Sequence, residues 1–400
     1  TLYKTQLMSE ETSVVVMAPR ERLKFIDMAR SIAILLMLEG HFIGLTLNDA
    51  YRNDENAIYA AWNFVRGFTA PMFFTVTGLV FVYLLTNNMQ AGYFTNKRVK
   101  KGFRRSLELL FWGYFLQTNL QNLPEYLLGN ISNWVTAFHV LQSIGIAIAF
   151  ILLIFGLYKL IGKGPLWLYY FLAATTLFAF YPYLKNLPEG VYLLNGWPEI
   201  LQNMVKGPNS VFPIVPWVAF SLYGGMVGAL LNKFHHYVRK DWFPITFIGL
   251  GLTLNLFGYS IFEAVDAGFR YIHPESPIDL SFNAWLYGRL GQVLIVIGLL
   301  MIIEKYLHVK DSLFLKVGQN TLQIYIVHVI VLYSGIFGIG LNQYFKNAFN
   351  PYQAIGAAIC FITVFVIFTK YLEPLTVIYD KFKWYLFYPF RKVKKAIFKA

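Results

Sequence analysis

The sequence predicts an all-α, polytopic integral membrane protein. Of its 400 residues, 57% are hydrophobic and only 14% are charged, which excludes an ordinary soluble domain. The apolar residues gather into runs of about 20 residues, the length at which a helix crosses a bilayer. The formal net charge of +13 does not indicate a nucleic-acid partner, because the basic residues lie in short segments between apolar runs.

Ten apolar segments predict about ten transmembrane helices. They are residues 25–45, 61–86, 106–121, 138–161, 166–184, 213–231, 243–262, 286–306, 315–337 and 352–372. The predicted membrane domain therefore covers residues 25–372, between a cytoplasmic N-terminal segment (1–24) and a basic tail (373–400). Residues 1–19 lack the apolar core of a secretory signal, so we expect the first span to remain as an uncleaved anchor.

The distribution of charge predicts the orientation. With the N-terminus in the cytoplasm, 26 of the 34 lysine and arginine residues lie in or beside inner segments and only seven on the outer side. This asymmetry predicts that both termini are cytoplasmic, as in a multi-pass protein of the cell (inner) membrane. The tail mixes basic and aromatic residues, so we expect it to lie as an amphipathic segment on the anionic inner surface.

The first span carries four ionisable residues: Asp27, Arg30, Glu39 and His41. Such residues are costly within a bilayer, so each is a candidate for function. At about 100° per residue, Asp27, Arg30 and His41 share one face of the helix, and Glu39 lies on the opposite face. Arg30 and His41 are about 16 Å apart along the axis, so they could hold opposite ends of one reaction but not the same atom.

His41 and Arg30 each allow more than one role. His41 could accept a proton from an attacking hydroxyl or amine, become acylated itself, or make a structural hydrogen bond. Arg30 could pair with Asp27 to neutralise it, or contact the substrate that enters from the inner side. We take His41, Arg30 and Asp27 as the candidate catalytic residues.

Other polar residues within or beside predicted spans are candidates for substrate contact. Each could instead pack in a loop, satisfy a structural hydrogen bond or extend towards the interface. These residues are His139, Gln142, His328, Asn320, Arg66 and Arg289. The outer loops add acidic and aromatic residues, which could form a vestibule for a polar acceptor or a plain interfacial belt.

A basic cluster before the third span could bind phosphates. Lys100, Lys101, Arg104 and Arg105 are its candidate residues, although the positive-inside rule alone would also explain them. No metal site is predicted, because His235 and His236 are adjacent and project from different faces. Cys360 is the only cysteine, so an intramolecular disulfide is excluded. HExxH, GxxxxGK and GxSxG motifs are absent, which argues against a zinc protease, a P-loop ATPase and a standard serine hydrolase.

Several stretches resemble the transmembrane acyltransferase superfamily, which includes the acyltransferase-3 and the heparan-α-glucosaminide N-acetyltransferase-like proteins. They are RLKFIDMARSIAILLMLEGH (22–41), FTAPMFFTVTGLVF (68–81), FHVLQSIGIA (138–147), FPIVPWVAFSLYGGMVG (212–228) and VGQNTLQIYIVHVIV (317–331). The chain departs from the glucosaminide branch at Ser31, where a glycine usually follows the arginine. Many members of the superfamily place an acidic residue directly before the histidine, whereas here Gly40 separates Glu39 from His41.

The resemblance implies a membrane enzyme that moves an acyl group, with acetyl expected, from cytoplasmic acyl-CoA to a hydroxyl or amine. The implied acceptor is an extracytoplasmic or lipid-linked glycan, and Trp217 joins the candidate substrate contacts. No metal is implied, and a homodimer is one assembly open to such a chain. The alternative is a transporter or flippase that uses the buried charges as a relay, and a third reading is a non-catalytic membrane partner.

Overall fold

The computed structural model describes residues 22–372, apart from residues 189, 277 and 308. Within that part, the chain forms α-helices, short 3₁₀ helices and three isolated β-bridges, and no strand. The all-α prediction is therefore confirmed. The predicted tail from residue 373, and most of the predicted N-terminal segment, lie outside the described residues.

The helices follow one another with short connections. In chain order they are α1 (Lys24–Thr46), α2 (Ala57–Leu85), α3 (Lys97–Phe115), α4 (Leu123–Leu127), α5 (Val140–Ile161), α6 (Leu166–Asn186), α7 (Glu199–Val205), α8 (Ile214–Lys233), α9 (Trp242–Leu256), α10 (Gly258–Ile272), α11 (Asn283–Leu307), α12 (Leu313–Gln319), α13 (Thr321–Tyr333), α14 (Asn342–Phe345) and α15 (Pro351–Leu372).

The lengths of these helices confirm a polytopic membrane protein. Among the described residues, six helices are long and apolar enough to cross a membrane: α1, α2, α5, α8, α11 and α15. Two bent pairs, α9 with α10 (59°) and α12 with α13 (82°), raise the number to eight if each pair is one span. Helices α3 and α6 cover two further predicted segments without meeting the same criterion. The number of ten and the orientation therefore stay predictions.

Helix α3 begins earlier than hydropathy predicts. The predicted apolar segment starts at residue 106, whereas the helix starts at Lys97. Asn96 caps this end, because its side chain accepts a hydrogen bond of 2.8 Å from the backbone N–H of Arg98. Lysine and arginine are also good helix formers. The basic cluster therefore lies on the first turns of a helix, which gives its side chains fixed directions.

Helices α2 and α8 approach each other at backbone distance. A Cβ atom at Gly224 would stand 1.9 Å from the carbonyl oxygen of Thr75, and one at Gly228 would stand 2.4 Å from that of Leu79. Gly78 of α2 is equally close to α8. The spacing of Gly224 and Gly228 therefore serves close helix packing, as such a pair of small residues does in membrane helices.

Helix α1 packs against α2, α11, α12 and α13. Its first backbone N–H groups have no partner within the helix, and the carboxylate of Glu304 on α11 accepts two of them, from Lys24 (2.8 Å) and Phe25 (2.7 Å). A carboxylate at this end also interacts favourably with the helix dipole. This contact sets the height of α1, and therefore of Arg30 and His41, against its neighbours.

We expect the substitution Gly224→Ala to destabilise the protein, because its methyl group can be accommodated only if α2 and α8 separate. Overpacking of this kind costs about 1–3 kcal/mol or more. Gly249→Ala is the matched control, because a Cβ at that position in α9 meets nothing within 4 Å. Thermal unfolding in detergent should show a clear loss for Gly224→Ala alone, and equal midpoints for the two variants would contradict the packing account.

Candidate active site

The N-terminal end of α1 holds a cluster of opposite charges. The carboxylate of Asp27 is buried, lies 3.5 Å from Nη1 of Arg30, and accepts a hydrogen bond of 2.8 Å from Nε of Arg22. The predicted neutralisation of Asp27 by Arg30 is thus present in the structure. Arg22 also bonds to this carboxylate. The single negative charge of Asp27 is therefore divided between two guanidinium groups and does not fully neutralise Arg30.

The bend between α12 and α13 faces this cluster. Nη2 of Arg30 lies 3.5 Å from the carbonyl oxygen of Gln319 and 3.5 Å from Oγ1 of Thr321, on either side of the break at Asn320. The side chain of Asn320 bonds to the carbonyl of Lys316 on its own segment (2.9 Å). The break therefore brings the positive N-terminal end of α13 to the same place as Arg30.

Ser31 ties α1 to α12. Its Oγ accepts a hydrogen bond from the backbone N–H of Gly318 (2.9 Å) and donates to the carbonyl of Phe314 (2.5 Å). A Cβ at Gly318 would stand 2.3 Å from the carbonyl oxygen of Asp27, so only glycine fits at this crossing. Ser31 thus fixes the segment opposite Arg30.

Two adjacent cavities lead from the basic face of α3 to Arg30. The outer one of about 280 Å³ opens at α3 and is lined by Phe81, Leu84, Arg98, Lys101, Arg104, Arg105 and Glu108. The inner one of about 160 Å³ is lined by Arg30, Arg105, Thr77, Thr321, Tyr325 and apolar residues of α2, α3, α5 and α13. Phe81, Leu84 and Arg105 border both cavities, which together we call the α3 passage. Lys100 is not among its lining residues.

At the other end of α1, two histidines meet. Nδ1 of His41 lies 2.9 Å from Nε2 of His328, a fully buried residue of α13. The edge of Tyr333 packs against the His41 ring, with centroids 5.9 Å apart. His328 in turn packs against Tyr325, with centroids 4.8 Å apart. Tyr325 also lines the α3 passage, so one residue borders both that passage and the histidine pair.

Arg66 of α2 lies close to the histidine pair. It crosses α1 beside Gly40 and Gly44, with side-chain atoms 3.5 and 3.7 Å from where their Cβ atoms would stand. In this place it is near enough to interact electrostatically with His41. Glu39 faces α2 and accepts a hydrogen bond of 2.6 Å from the indole N–H of Trp62.

The first residue before α5 approaches the same region. His139 is near enough to His41 for an electrostatic interaction, and its ring packs against Trp134 with centroids 4.7 Å apart. Gln142 is fully buried and donates hydrogen bonds to Gln117, just after α3, and to the loop before α5. The two residues predicted to share one face therefore have different surroundings. His139 is close to the histidine pair, whereas Gln142 connects α5 to neighbouring segments through its hydrogen bonds.

Hydrogen bonds of Glu199 hold a loop close to His139. The carboxylate of Glu199 accepts hydrogen bonds from Asn209 (2.9 Å), Thr136 (2.9 Å) and Asn203 (3.4 Å). These donors, that of Asn209 first, hold the pKa of the Glu199 carboxyl below its usual range. The carboxylate therefore stays charged at neutral pH and keeps α7 attached to the loop that carries Trp134.

Two predicted contacts lie elsewhere. Arg289 of α11 donates a hydrogen bond of 3.0 Å to the carbonyl of Phe64 and packs over the rings of Phe64 and Trp285. Trp217 belongs to an aromatic group with Phe74 and Phe212 between α2 and α8. Neither lines the α3 passage.

Sequence reasoning missed residues that complete the site. Thr77, Thr321, Tyr325 and Tyr333 are ordinary in an apolar helix, and only the packing shows that they face Arg30 or the histidines. Tyr325 carried one available signal, its position one turn before His328. In the described part of the chain, no group of three or more histidine, cysteine or carboxylate side chains could hold a metal ion.

We expect Ser31→Ala to lower stability, because the buried N–H of Gly318 and the carbonyl of Phe314 would lose their partner. Such a loss costs about 1–3 kcal/mol. Thr253→Ala is a control, because the hydroxyl of this exposed residue bonds only to its own helix. The thermal unfolding midpoint in detergent should fall for Ser31→Ala and stay near the wild type for Thr253→Ala. No fall for Ser31→Ala would show that the hydroxyl does not hold α12.

Comparisons with known proteins agree with this architecture. The model of the acyltransferase-3 family, described as an acyltransferase domain, matches residues 23–388. A search of curated proteins finds no match. The family match covers α1 to α15, including both histidines and the α3 passage. The chain belongs to the acyltransferase-3 family of membrane acyltransferases.

Proposed function

We propose that the protein transfers an acyl group, with acetyl expected, from cytoplasmic acyl-CoA to a hydroxyl or amine of an extracytoplasmic or lipid-linked glycan. Family membership supports acyl transfer in general. The choice of donor and acceptor is our proposal. One observation carries it: two adjacent cavities lie between a basic surface on α3 and Arg30, and Tyr325, which lines the deeper one, packs against the ring of His328 in the His41–His328 pair.

The lining of the α3 passage suits the parts of coenzyme A. At its mouth, the side chains of Arg98, Lys101, Arg104 and Arg105 outnumber the one carboxylate of Glu108. Guanidinium groups recognise phosphate by paired hydrogen bonds, so this is where we expect the nucleotide phosphates. We therefore keep Lys101, Arg104 and Arg105 as proposed donor contacts and leave Lys100 out.

The deeper part of the passage suits the thioester arm. Its walls are mostly apolar, with the hydroxyls of Thr77 and Thr321 and the guanidinium of Arg30 at intervals. The arm of coenzyme A has a similar character, with two amide groups and one hydroxyl along a largely aliphatic chain. Arg30 and the N-terminal end of α13 would both favour a carbonyl oxygen at this depth.

His41 then acts as the general base. The acceptor oxygen or nitrogen attacks the thioester carbonyl carbon, and its proton passes to Nε2 of His41. The carbon–sulfur bond breaks, and the thiolate of coenzyme A takes the proton from His41. The products are the acylated acceptor and free coenzyme A. Positioned proton transfer of this kind contributes about 10²–10⁴-fold to a rate.

The acceptor is proposed to enter from the outer side. His139 and Arg66 are both near enough to His41 to interact with it electrostatically, and we propose them as acceptor contacts. Trp134, Trp197 and Trp285 of the outer segments expose 52%, 58% and 47% of their surfaces. Such side chains offer an apolar face and an N–H donor to a sugar. The proposal places both termini in the cytoplasm of a cell with the protein in its inner membrane.

We expect His41→Ala to abolish transfer, with kcat at least about 100-fold lower, because the variant has no group to take the proton. The assay measures acceptor-dependent release of coenzyme A from labelled acetyl-CoA with candidate sugars. Donor binding and thermal unfolding should stay near the wild type. Full turnover by this variant would end the proposal.

Charge reversal at Arg105, which borders both cavities, is expected to raise the KM for acyl-CoA at least about tenfold, since a bound phosphate or thioester arm would face a carboxylate. Lys163→Glu, on the exposed inner connection between α5 and α6, makes the same charge change away from the passage. An unchanged donor KM in Arg105→Glu, or an equal rise in both variants, would exclude a specific contact.

A transporter is the competing function, and the same preparation separates the two. If the protein is a transporter, vesicles that contain it will take up a solute when a proton gradient is imposed, and acetyl-CoA will stay intact. Our proposal expects the thioester to be consumed without any imposed gradient.

A further inference from the structure

We propose that His328 is a positioning residue that selects the tautomer of His41, so that the pair works as an imidazole–imidazole dyad. This inference rests on the proposed function, in which His41 is the general base. It replaces the expectation that His328 contacts substrate. The observation behind it is the 2.9 Å contact between Nδ1 of His41 and Nε2 of His328, which joins α1 to α13.

The contact permits only one useful arrangement of protons. Between two neutral rings, one nitrogen must donate and the other accept. For Nε2 of His41 to take a proton from the acceptor, it must carry none, so the ring proton lies on Nδ1. Nδ1 of His41 then donates to Nε2 of His328, and His328 carries its own proton on Nδ1.

In many hydrolases, a carboxylate orients the histidine in this way. Here no carboxylate takes that place: among the described residues, His41 makes its side-chain hydrogen bond to His328 alone. Glu39 is on the opposite face of α1, bound to Trp62. A neutral imidazole can fix the tautomer without the cost of a second buried charge.

The surroundings hold the two rings in place. The ring planes of His41 and His328 are 31° apart, and the edges of Tyr333 and Tyr325 pack against them from the same helix, α13. The charged or titratable groups near His41 on other elements are Arg66 of α2 and His139 before α5. His328 is fully buried, so its ring has no route to bulk water and is placed to orient rather than to meet the acceptor.

Two substitutions separate positioning from packing. Glutamine at 328 can present an amide oxygen where Nε2 of the histidine stood, whereas leucine fills the space without an acceptor. We expect His328→Gln to keep kcat within about tenfold of the wild type and His328→Leu to lose at least about 100-fold, with both KM values within about twofold. If His328 only fills space, leucine will be tolerated as well as glutamine. If it contacts the acceptor, acceptor KM will rise instead. Either result overturns the proposal.

A second measurement does not depend on turnover. Solid-state NMR of ¹⁵N-histidine-labelled protein, with His41 assigned by its loss in His41→Ala, should show the Nδ1–H tautomer in the wild type and a shift to Nε2–H in His328→Leu. The Nε2–H tautomer in the wild type would overturn the dyad, even if the leucine variant does not fold. Full activity of His41→Ala would refute the proposed function itself. An inactive His41→Ala beside a fully active His328→Leu would refute only the dyad.

Discussion

The helices around the N-terminal end of α1 are arranged around the cost of holding Arg30 among apolar side chains. A lone guanidinium there would be strongly unfavourable, and the structure offsets this with the Asp27 carboxylate and with the polar groups exposed where α12 bends into α13. The same bend requires α12 to lie tightly on α1, which Ser31 and Gly318 allow. The charge of Arg30 is not fully neutralised, because Arg22 also bonds to the Asp27 carboxylate. The guanidinium of Arg30 also lines the inner cavity of the α3 passage.

That arrangement couples the two ends of α1. Helix α13 presents its first turn to Arg30 and, two turns later, His328 to His41, so one short helix borders both the inner cavity and the histidine pair. Glu304 sets the height of α1 against α11, which keeps the two ends in register. In our account, the cytoplasmic donor and the outer acceptor meet at the histidine pair, which α1 and α13 form together.

Much of this could be predicted from the sequence, and the remainder depended on contacts between distant segments. Periodicity correctly placed Asp27 and Arg30 on one face and Glu39 on the other, and charges within an apolar run marked α1 as the candidate for function. Hydropathy could not place the start of α3, because a basic, amphipathic turn looks like a loop in an averaged window. It could not show the break at Asn320 either, since both sides of that bend are apolar. The pairing of His41 with His328 joins positions 287 residues apart, which no local pattern encodes.

The central claim is that the α3 passage carries the thioester from the basic mouth to His41. The most direct measurement is an electron cryomicroscopy structure of the protein with a non-hydrolysable thioether analogue of acetyl-CoA. We expect the phosphates beside Arg104 and Arg105, the arm between Thr77 and Thr321, and the acetyl end within reach of Nε2 of His41. An analogue bound in a different groove, or with its acetyl end separated from His41 by closed packing, would contradict the account.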